Sequence, residues 1–356
     1  MFVLDSHCDT PSQILRLRDL TIDNDHAHVD FPKLEKGRVD GAFFALYVPA
    51  KYDADPDAGF AYARMLLDGV RNCVRRNPYA AAFSISRSQA IKNKEDGLFS
   101  IFLGLENGSP IGHDMERLSW FYEAGVRYMT LCHSGNNQIC DSCAPASGRW
   151  GGLSPFGREV IREMNRIGML VDVSHVSDAS FDDVLECSVK PVAATHSCCR
   201  ALADHPRNMT DDMIRRLADA GGVMQINFYP MFIDAEFRHV LSCSGINEKG
   251  EKIESEFIAD PGNQERRAAW NRIQDELQSL PRPSFRKIAD HIDHAVEIAG
   301  IDHVGIGSDF DGIEVTPAGL EDISMLPVLF DELKSRGYSD SDLAKIAGEN
   351  FFRILG

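Results

Sequence analysis

Eight short, apolar, strand-like segments recur along the chain and are separated by segments with helical periodicity. Most of the eight are almost continuously apolar, which is typical of strands buried on both faces of a parallel sheet. They lie at about 2–6, 41–48, 99–105, 127–132, 169–174, 191–195, 222–227 and 303–308. Strands alternating with helices predict an α/β fold, and eight of them predict a (β/α)8 TIM-like barrel with elaborated strand-to-helix loops.

Helical patterns fill most of the intervals between these segments. We predict helices at 59–76, 114–124, 157–167, 178–187, 211–220, 284–299, 319–337 and 339–355. The last of them begins with Ser339 and Asp342, which have the spacing of a capping box. The stretches 134–156 and 230–282 are longer than ordinary connections, and such insertions usually build the rim of a barrel's active site. We therefore expect residues 1–356 to form one hydrolase domain with a long insertion at about 230–282, helical near 264–277.

Composition excludes several classes of partner. The chain has 37 Lys and Arg against 54 Asp and Glu, a formal net charge of −17, and this disfavours binding to nucleic acid or to an anionic membrane. No run of about 18 apolar residues predicts a membrane span. The first residues lack the pattern of a secretory signal. With nine cysteines, these features predict a cytoplasmic protein with reduced thiols.

Seven side chains that can bind a metal or transfer a proton follow six of the predicted strands. They are His7, Asp9, Glu106, His133, His175, His196 and Asp309. The C-terminal ends of barrel strands meet at the active site. Burying so many polar groups side by side is costly unless they pair or hold metals, so the set predicts a metal centre.

The spacing of five of these residues suits two metal ions. His7 and Asp9 are two residues apart and would face the same way on an extended chain. Glu106 could bridge two ions about 3.5–4 Å apart, and His175 and His196, on adjacent strands, could complete the second. This mixed nitrogen and oxygen set favours zinc first, then manganese or cobalt.

Two strand-end residues remain for proton transfer and charge stabilisation. Asp309 could accept a proton from metal-bound water and return it to a leaving amine. His133 could polarise the attacked carbonyl or stabilise its oxyanion. These assignments predict a hydrolase.

The stretches that carry these residues resemble the membrane dipeptidase (renal dipeptidase) family of the amidohydrolase superfamily. The resemblance runs from residue 4 to about residue 355. Its most specific stretches are 5–9 (DSHCD), 104–108 (GLENG), 168–175 (GMLVDVSH), 195–197 (THS), 207–208 (RN) and 303–312 (HVGIGSDFDG). The chain departs from the family at Cys8, where Asn is usual, and at Asn107, where Gly is common.

The resemblance implies a binuclear zinc enzyme that hydrolyses dipeptides, tolerates a D-residue on the carboxyl side and forms a homodimer. It implies roles for nine residues: metal ligands His7, Asp9, Glu106 (the bridge), His175 and His196; catalytic residues Asp309 and His133, near the free amine and the scissile carbonyl; Arg207, holding the substrate carboxylate; and Tyr229, near the substrate.

Two other functions remain open. One is a metal-dependent hydrolase of a lactone, an N-acyl amino acid or a cyclic amide, although a lactonase would not need both Arg207 and a partner for a free amine. The other is a catalytically silent barrel, which the intact set of five ligand positions disfavours.

Some other pairs of candidate residues are interpreted as structural. Cys140 and Cys143 form a lone CxxC without a second pair, so we expect ordinary loop thiols. His291 and His294 lie three apart on a predicted helix, where we expect an exposed polar face.

Overall fold

Eight parallel strands form a barrel in the computed structural model, which describes residues 1–355. Together with one strand outside the barrel, β3, the sheet has nine strands: β1 (Leu4–Cys8), β2 (Gly41–Tyr47), β3 (Ala81–Phe83), β4 (Phe99–Glu106), β5 (Val126–Thr130), β6 (Leu170–Asp172), β7 (Ala193–Ser197), β8 (Val223–Ile226) and β9 (Val304–Ile306). Their order in the sheet is β1-β2-β4-β5-β6-β7-β8-β9, and β3 pairs only with β4. Main-chain hydrogen bonds from Asp9 to Phe310 (2.8 Å) and from Asp309 to His7 (3.0 Å) close the ring.

The predicted (β/α)8 barrel is confirmed, and each of the eight predicted segments overlaps a barrel strand. The additional strand β3 was not predicted because it has only three residues and lies outside the ring, beside β4.

Helices surround the barrel. They are α1 (Thr10–Leu15), α2 (Phe31–Lys36), α3 (Pro56–Arg76), α4 (Arg87–Glu95), α5 (Met115–Glu123), α6 (Pro155–Ile167), α7 (Asp178–Cys187), α8 (Asp211–Asp219), α9 (Pro230–Ile233), α10 (Ala235–Ser244), α11 (Ile246–Ala259), α12 (Gln264–Gln278), α13 (Arg286–Ala299), α14 (Leu326–Ser335), α15 (Asp340–Ala344) and α16 (Asn350–Ile354). The predicted capping box is present at α15, where Ser339 and Asp342 cap each other's main chain. Within residues 1–355, no helix has both the length and the apolar character needed to cross a membrane.

Side chains alternate between the inside of the barrel and the helices outside. On β4, Phe102 packs inward against Phe43, with ring centroids 4.8 Å apart, while Leu103 belongs to the larger core cluster that contacts the helices. Phe351 of α16 also contacts Phe43 and joins the inner cluster. The inner cluster leaves the opposite end of the barrel, where the strands end, to polar residues.

The long insertion is helical and comprises α9 to α12. Its helices share a small core of their own, built around Phe237, Phe257 and Trp270. Glu254 of α11 reaches back to the first barrel loop, where its carboxylate lies 3.1 Å from the guanidinium of Arg16. The insertion is thereby held over the C-terminal end of the barrel.

His291 is buried, contrary to the expected exposed face on α13. Its Nδ1 accepts the main-chain N–H of Cys199 (3.0 Å), and its Nε2 lies 3.2 Å from the carbonyl oxygen of Ile233. The prediction was wrong because main-chain groups packed against α13 provide hydrogen-bond partners for the buried ring. Cys140 and Cys143 are both free thiols, the first buried and the second half-buried.

Gly104 offers a test of the packing inside the barrel. An added Cβ would lie 2.2 Å from the ring of Tyr128, so we expect Gly104→Ala to lower the free energy of unfolding by about 1–3 kcal/mol. Urea denaturation followed by circular dichroism measures this change.

Gly69→Ala is the matched control, because Gly69 lies in α3 and its nearest neighbour would be 3.4 Å from the new Cβ. This variant should be as stable as the parent or more stable by about 0.5–1 kcal/mol. Equal stability of Gly104→Ala and the parent would contradict the packing described here.

Candidate metal centre

Glu106, the last residue of β4, lies between His7 on one side and His175 and His196 on the other. Its Oε1 is 3.2 Å from Nε2 of His175 and 3.5 Å from Nε2 of His196. Its Oε2 is 3.4 Å from Nε2 of His7. The two oxygens of one buried carboxylate therefore face different donors, which is the geometry of a bridging ligand.

His7 and Asp9 face the same space, as their spacing predicts. Nε2 of His7 is 3.5 Å from Oδ2 of Asp9. Both side chains are buried, and neither His7 Nε2 nor Asp9 Oδ1 has a hydrogen-bond partner. A buried polar atom without a partner is costly, and a divalent cation among these atoms would remove that cost. The residues present fit a metal.

Contacts to the Nδ1 atoms orient His7 and His196 so that their Nε2 atoms point toward Glu106. Nδ1 of His7 lies 2.8 Å from the hydroxyl of Tyr128, and Nδ1 of His196 lies 2.8 Å from Oγ1 of Thr195. Thr195 in turn donates to Asp172 (2.7 Å). Such contacts fix ring orientation and leave the Nε2 atoms for a metal. Sequence reasoning did not assign Tyr128, Thr195 or Asp172, although a carboxylate inside the apolar segment 169–174 was an available signal.

Burial shifts the pKa of several of these groups. Burial, and then the neighbouring charge of Arg207, lowers the pKa of His133 to about 4 and that of His175 well below its usual value. Burial together with the charge of Glu106 raises the pKa of Asp9 to about 7. Neutral imidazoles have lone pairs available for a metal, and a cation would stabilise the ionised carboxylates.

Asp309 lies on the loop after β9 and faces the same centre. Its Oδ1 is 3.9 Å from Nε2 of His7, and its Oδ2 accepts a hydrogen bond from Nδ2 of Asn227 (2.8 Å). Its φ of 65° lies in the left-handed region, which is strained for a residue other than glycine. Burial raises the pKa of Asp309, which makes its carboxylate a stronger base than an exposed aspartate.

The loop of Asp309 is fixed by two buried aspartates. Asp5 accepts the main-chain N–H of Ser308 (2.8 Å), and Asp311 accepts hydrogen bonds from Thr10 (2.8 Å) and Arg18 (2.5 Å). These contacts hold the strained main chain on both sides of Asp309. They are structural partners that sequence reasoning missed.

The other predicted residues take different positions around the centre. His133 lies with its Nε2 3.9 Å from Oε1 of Glu106. Tyr229 lines the same cavity, and its hydroxyl donates to Glu314 (3.0 Å). Arg207 is buried behind the cavity wall, where its terminal nitrogens donate to Ser197 (2.8 Å) and to the carbonyl of His196 (2.6 Å), and its Nε has no partner.

A cavity of about 520 Å³ opens from this centre. Asp9, Glu106, His175 and Asp309 form its floor, and the insertion supplies part of the wall with Glu254, Ile258, Trp270 and Gln274. Its volume lies within the usual range of about 300–1,000 Å³ for small-molecule sites.

Comparison with known proteins identifies related chains. The family model described as membrane dipeptidase (peptidase family M19) matches residues 1–356. Dipeptidase verJ of Clonostachys rogersoniana is 33% identical over 337 residues, which cover 92% of this chain and 75% of that protein. Dipeptidase aclJ of Aspergillus oryzae is 33% identical over 337 residues, which cover 93% and 70%. The crystal structure of the probable dipeptidase PvdM from Pseudomonas aeruginosa is similar with a TM-score of 0.81 and 26% identity, covering 100% of this chain and 95% of that one.

Tyr128→Phe tests the orienting contact on His7. The variant keeps the ring but removes the hydroxyl from Nδ1, so we expect affinity for Zn²⁺ to fall about 10- to 100-fold. Competition with a chromophoric chelator measures the affinity.

Tyr62→Phe is the control, since Tyr62 lines the cavity and stacks on Tyr52 without contacting the ligand histidines. Its affinity for Zn²⁺ should match that of the parent. If Tyr128→Phe also bound zinc like the parent, the orienting role of Tyr128 would be refuted.

Proposed function

Because the chain belongs to the membrane dipeptidase family, a family of peptide-bond hydrolases, we propose that it hydrolyses dipeptides at a centre of two divalent metal ions, with zinc as the preferred metal. The observation that carries this proposal is the position of Glu106, one of whose oxygens faces His7 while the other faces His175 and His196. His7, Asp9 and Glu106 would hold one ion, and Glu106, His175 and His196 the other. When bound, two such ions supply Lewis acidity and lower the pKa of water to about 7.

Asp309 contacts the free amine of the dipeptide and transfers the protons in this proposal. Its Oδ1 faces the centre while Asn227 holds Oδ2. It takes a proton from the attacking water and returns it to the nitrogen of the leaving amine. Its raised pKa supports this exchange, because the carboxylate is a stronger base than an exposed aspartate.

His133 stabilises the charge that develops on the scissile carbonyl. Because its pKa is about 4, the ring is neutral at pH 7, and it can donate one N–H to the oxyanion. Its other ring nitrogen, Nδ1, is buried without a partner. The ring stacks edge-on against Tyr47, with centroids 4.8 Å apart, which limits its movement.

From the resemblance of the sequence to the family, Arg207 binds the terminal carboxylate of the dipeptide in this proposal, and Tyr229 lies near the substrate. Arg207 is a buried cation beside His196 with an unused N–H at Nε. It lies outside the cavity lining, so its guanidinium would have to move toward the cavity to bind a terminal carboxylate. A site that binds both ends of its substrate favours dipeptides over longer peptides. We also propose, from the resemblance of the sequence to the family, that a D-residue is accepted on the carboxyl side.

Hydrolysis of a matched panel of L-Xaa-L-Xaa and L-Xaa-D-Xaa dipeptides tests the activity and its stereochemistry together. Zinc-loaded protein should cleave members of the panel, and chelator-stripped protein should not. A protein that holds two zinc ions but cleaves no dipeptide would refute the substrate. Lactones and N-acyl amino acids would then be assayed.

Asp309→Asn should keep both metal ions and lose most of its turnover. We expect kcat to fall about 100- to 10,000-fold, because the amide cannot accept the proton. Steady-state kinetics and metal analysis of the same sample measure the two effects. Asp219→Asn, at the exposed end of α8, removes the same charge and should leave both unchanged. Parent-like turnover of Asp309→Asn would exclude this role.

A further inference from the structure

Glu314 is a carboxylate in the cavity that the reaction does not use. It follows Asp309 by five residues on the loop after β9, and it lines the cavity. The hydroxyl of Tyr229 donates to its Oε2 at 3.0 Å. Among the residues described, 1–355, no lysine, arginine or histidine forms an ion pair with it. Its charge therefore has a hydrogen bond but no cation.

The cations that line the cavity are already engaged or lie at its mouth. Arg16 pairs with Glu254 at 3.1 Å, and Arg18 pairs with Asp311 at 2.5 Å. Lys51 is exposed to solvent. Apart from Asp9 and Glu106, which are assigned to the metal ions, Asp309 and Glu314 thus remain as carboxylates of the cavity lining without an arginine or lysine partner. Asp309 is assigned to proton transfer.

The environment of Glu314 disfavours its ionised form. Burial, followed by the neighbouring charge of Glu254, raises the pKa of Glu314. A cation that entered the cavity would replace lost solvation and relieve this repulsion. The site is therefore electrostatically complementary to a positively charged part of a ligand.

The position of Glu314 indicates which part of a dipeptide would reach it. Asp309, on the same loop, lies near the free amine in the proposed function, whereas Arg207 lies behind the cavity wall beside His196. This arrangement places the amino-terminal residue, with its side chain, on the side of the cavity that Glu314 lines. Trp270 and Ile258 of the insertion also line the cavity, and they offer apolar surface for the methylene groups of a long side chain.

We propose that Glu314 selects dipeptides whose amino-terminal residue has a cationic side chain, such as lysine. The inference rests on the proposed dipeptidase function and names the substrate class of the same site. A charge-assisted hydrogen bond between Glu314 and the side-chain ammonium would raise kcat/KM about 10- to 100-fold over a neutral side chain of equal length.

Three dipeptides measure this selection: Lys-Ala, norleucyl-Ala and Ala-Ala. Norleucine keeps the length and methylene groups of lysine without the charge. The zinc-loaded parent should prefer Lys-Ala to norleucyl-Ala by at least about 10-fold in kcat/KM. Glu314→Gln, which can still accept the Tyr229 hydroxyl, should reduce that ratio to near one while keeping its activity on norleucyl-Ala.

Glu256→Gln is the matched control, because Glu256 is exposed on α11, outside the cavity lining, and the substitution removes the same charge. It should keep the preference of the parent. A parent without preference for Lys-Ala would overturn the inference. Equal losses on Lys-Ala and norleucyl-Ala in Glu314→Gln would also overturn it, since Glu314 would then bind the common α-amine or act on the fold.

These measurements distinguish rejection of the dipeptidase function from rejection of the selection by Glu314. If the zinc-loaded parent cleaves neither these three dipeptides nor any member of the L,L and L,D panel, both the proposed function and the inference are rejected. If it cleaves other members of the panel but not Lys-Ala, only the inference is rejected. If it cleaves Lys-Ala and norleucyl-Ala equally well, only the selection by Glu314 is rejected, and the dipeptidase function stands.

Discussion

The carboxylate of Glu106 and the imidazoles around it are the constraint on which the site depends. Glu106, Asp9 and Asp309 are brought together at one end of the barrel, where little solvent can stabilise their charges. Unpaired burial of ionised groups is strongly unfavourable. Burial opposes a charge on His7, but the carboxylates of Glu106 and Asp9 raise its pKa well above the usual value. A cation between the donors would stabilise the carboxylates in the same way. The same electrostatic need explains why carboxylates and imidazoles occur together at the strand ends.

A second layer of buried carboxylates holds the strand ends in place. Asp172 accepts hydrogen bonds from the Thr130 hydroxyl (2.6 Å) and from the Thr195 main chain (2.9 Å), and so joins β5, β6 and β7. Asp5 does the same between β1 and the loop after β9, through Ser308. These aspartates do not face the cavity, but they fix the main chain from which its side chains project. The positions of the site's side chains are thus determined by hydrogen bonds within the barrel.

The barrel and the convergence of the strand-end residues could be predicted from the sequence because both depend on local signals. Continuous apolar segments mark buried parallel strands, and the topology of a barrel then brings their ends together without any further information. Contacts between distant segments carry no such signal. His291 illustrates this, since its burial depends on partners 92 and 58 residues away. The helices α1 and α2 were missed because each has only six residues. Helix α4 was missed because it has no apolar face, since Ala90 is its only buried residue.

The cavity divides its tasks between two parts of the chain. Residues that would bind metal and transfer protons lie on the barrel strands and the short turns after them, where hydrogen bonds from the inner layer restrict movement. Glu254, Ile258 and Trp270 come from the insertion, whose helices pack on a core of their own. Substitutions in the insertion can therefore change the shape and charge of the wall without disturbing the barrel core. Glu314 lies where the two parts meet, on the same loop as Asp309, so a side chain in this position can couple recognition of the substrate to the group that transfers its protons.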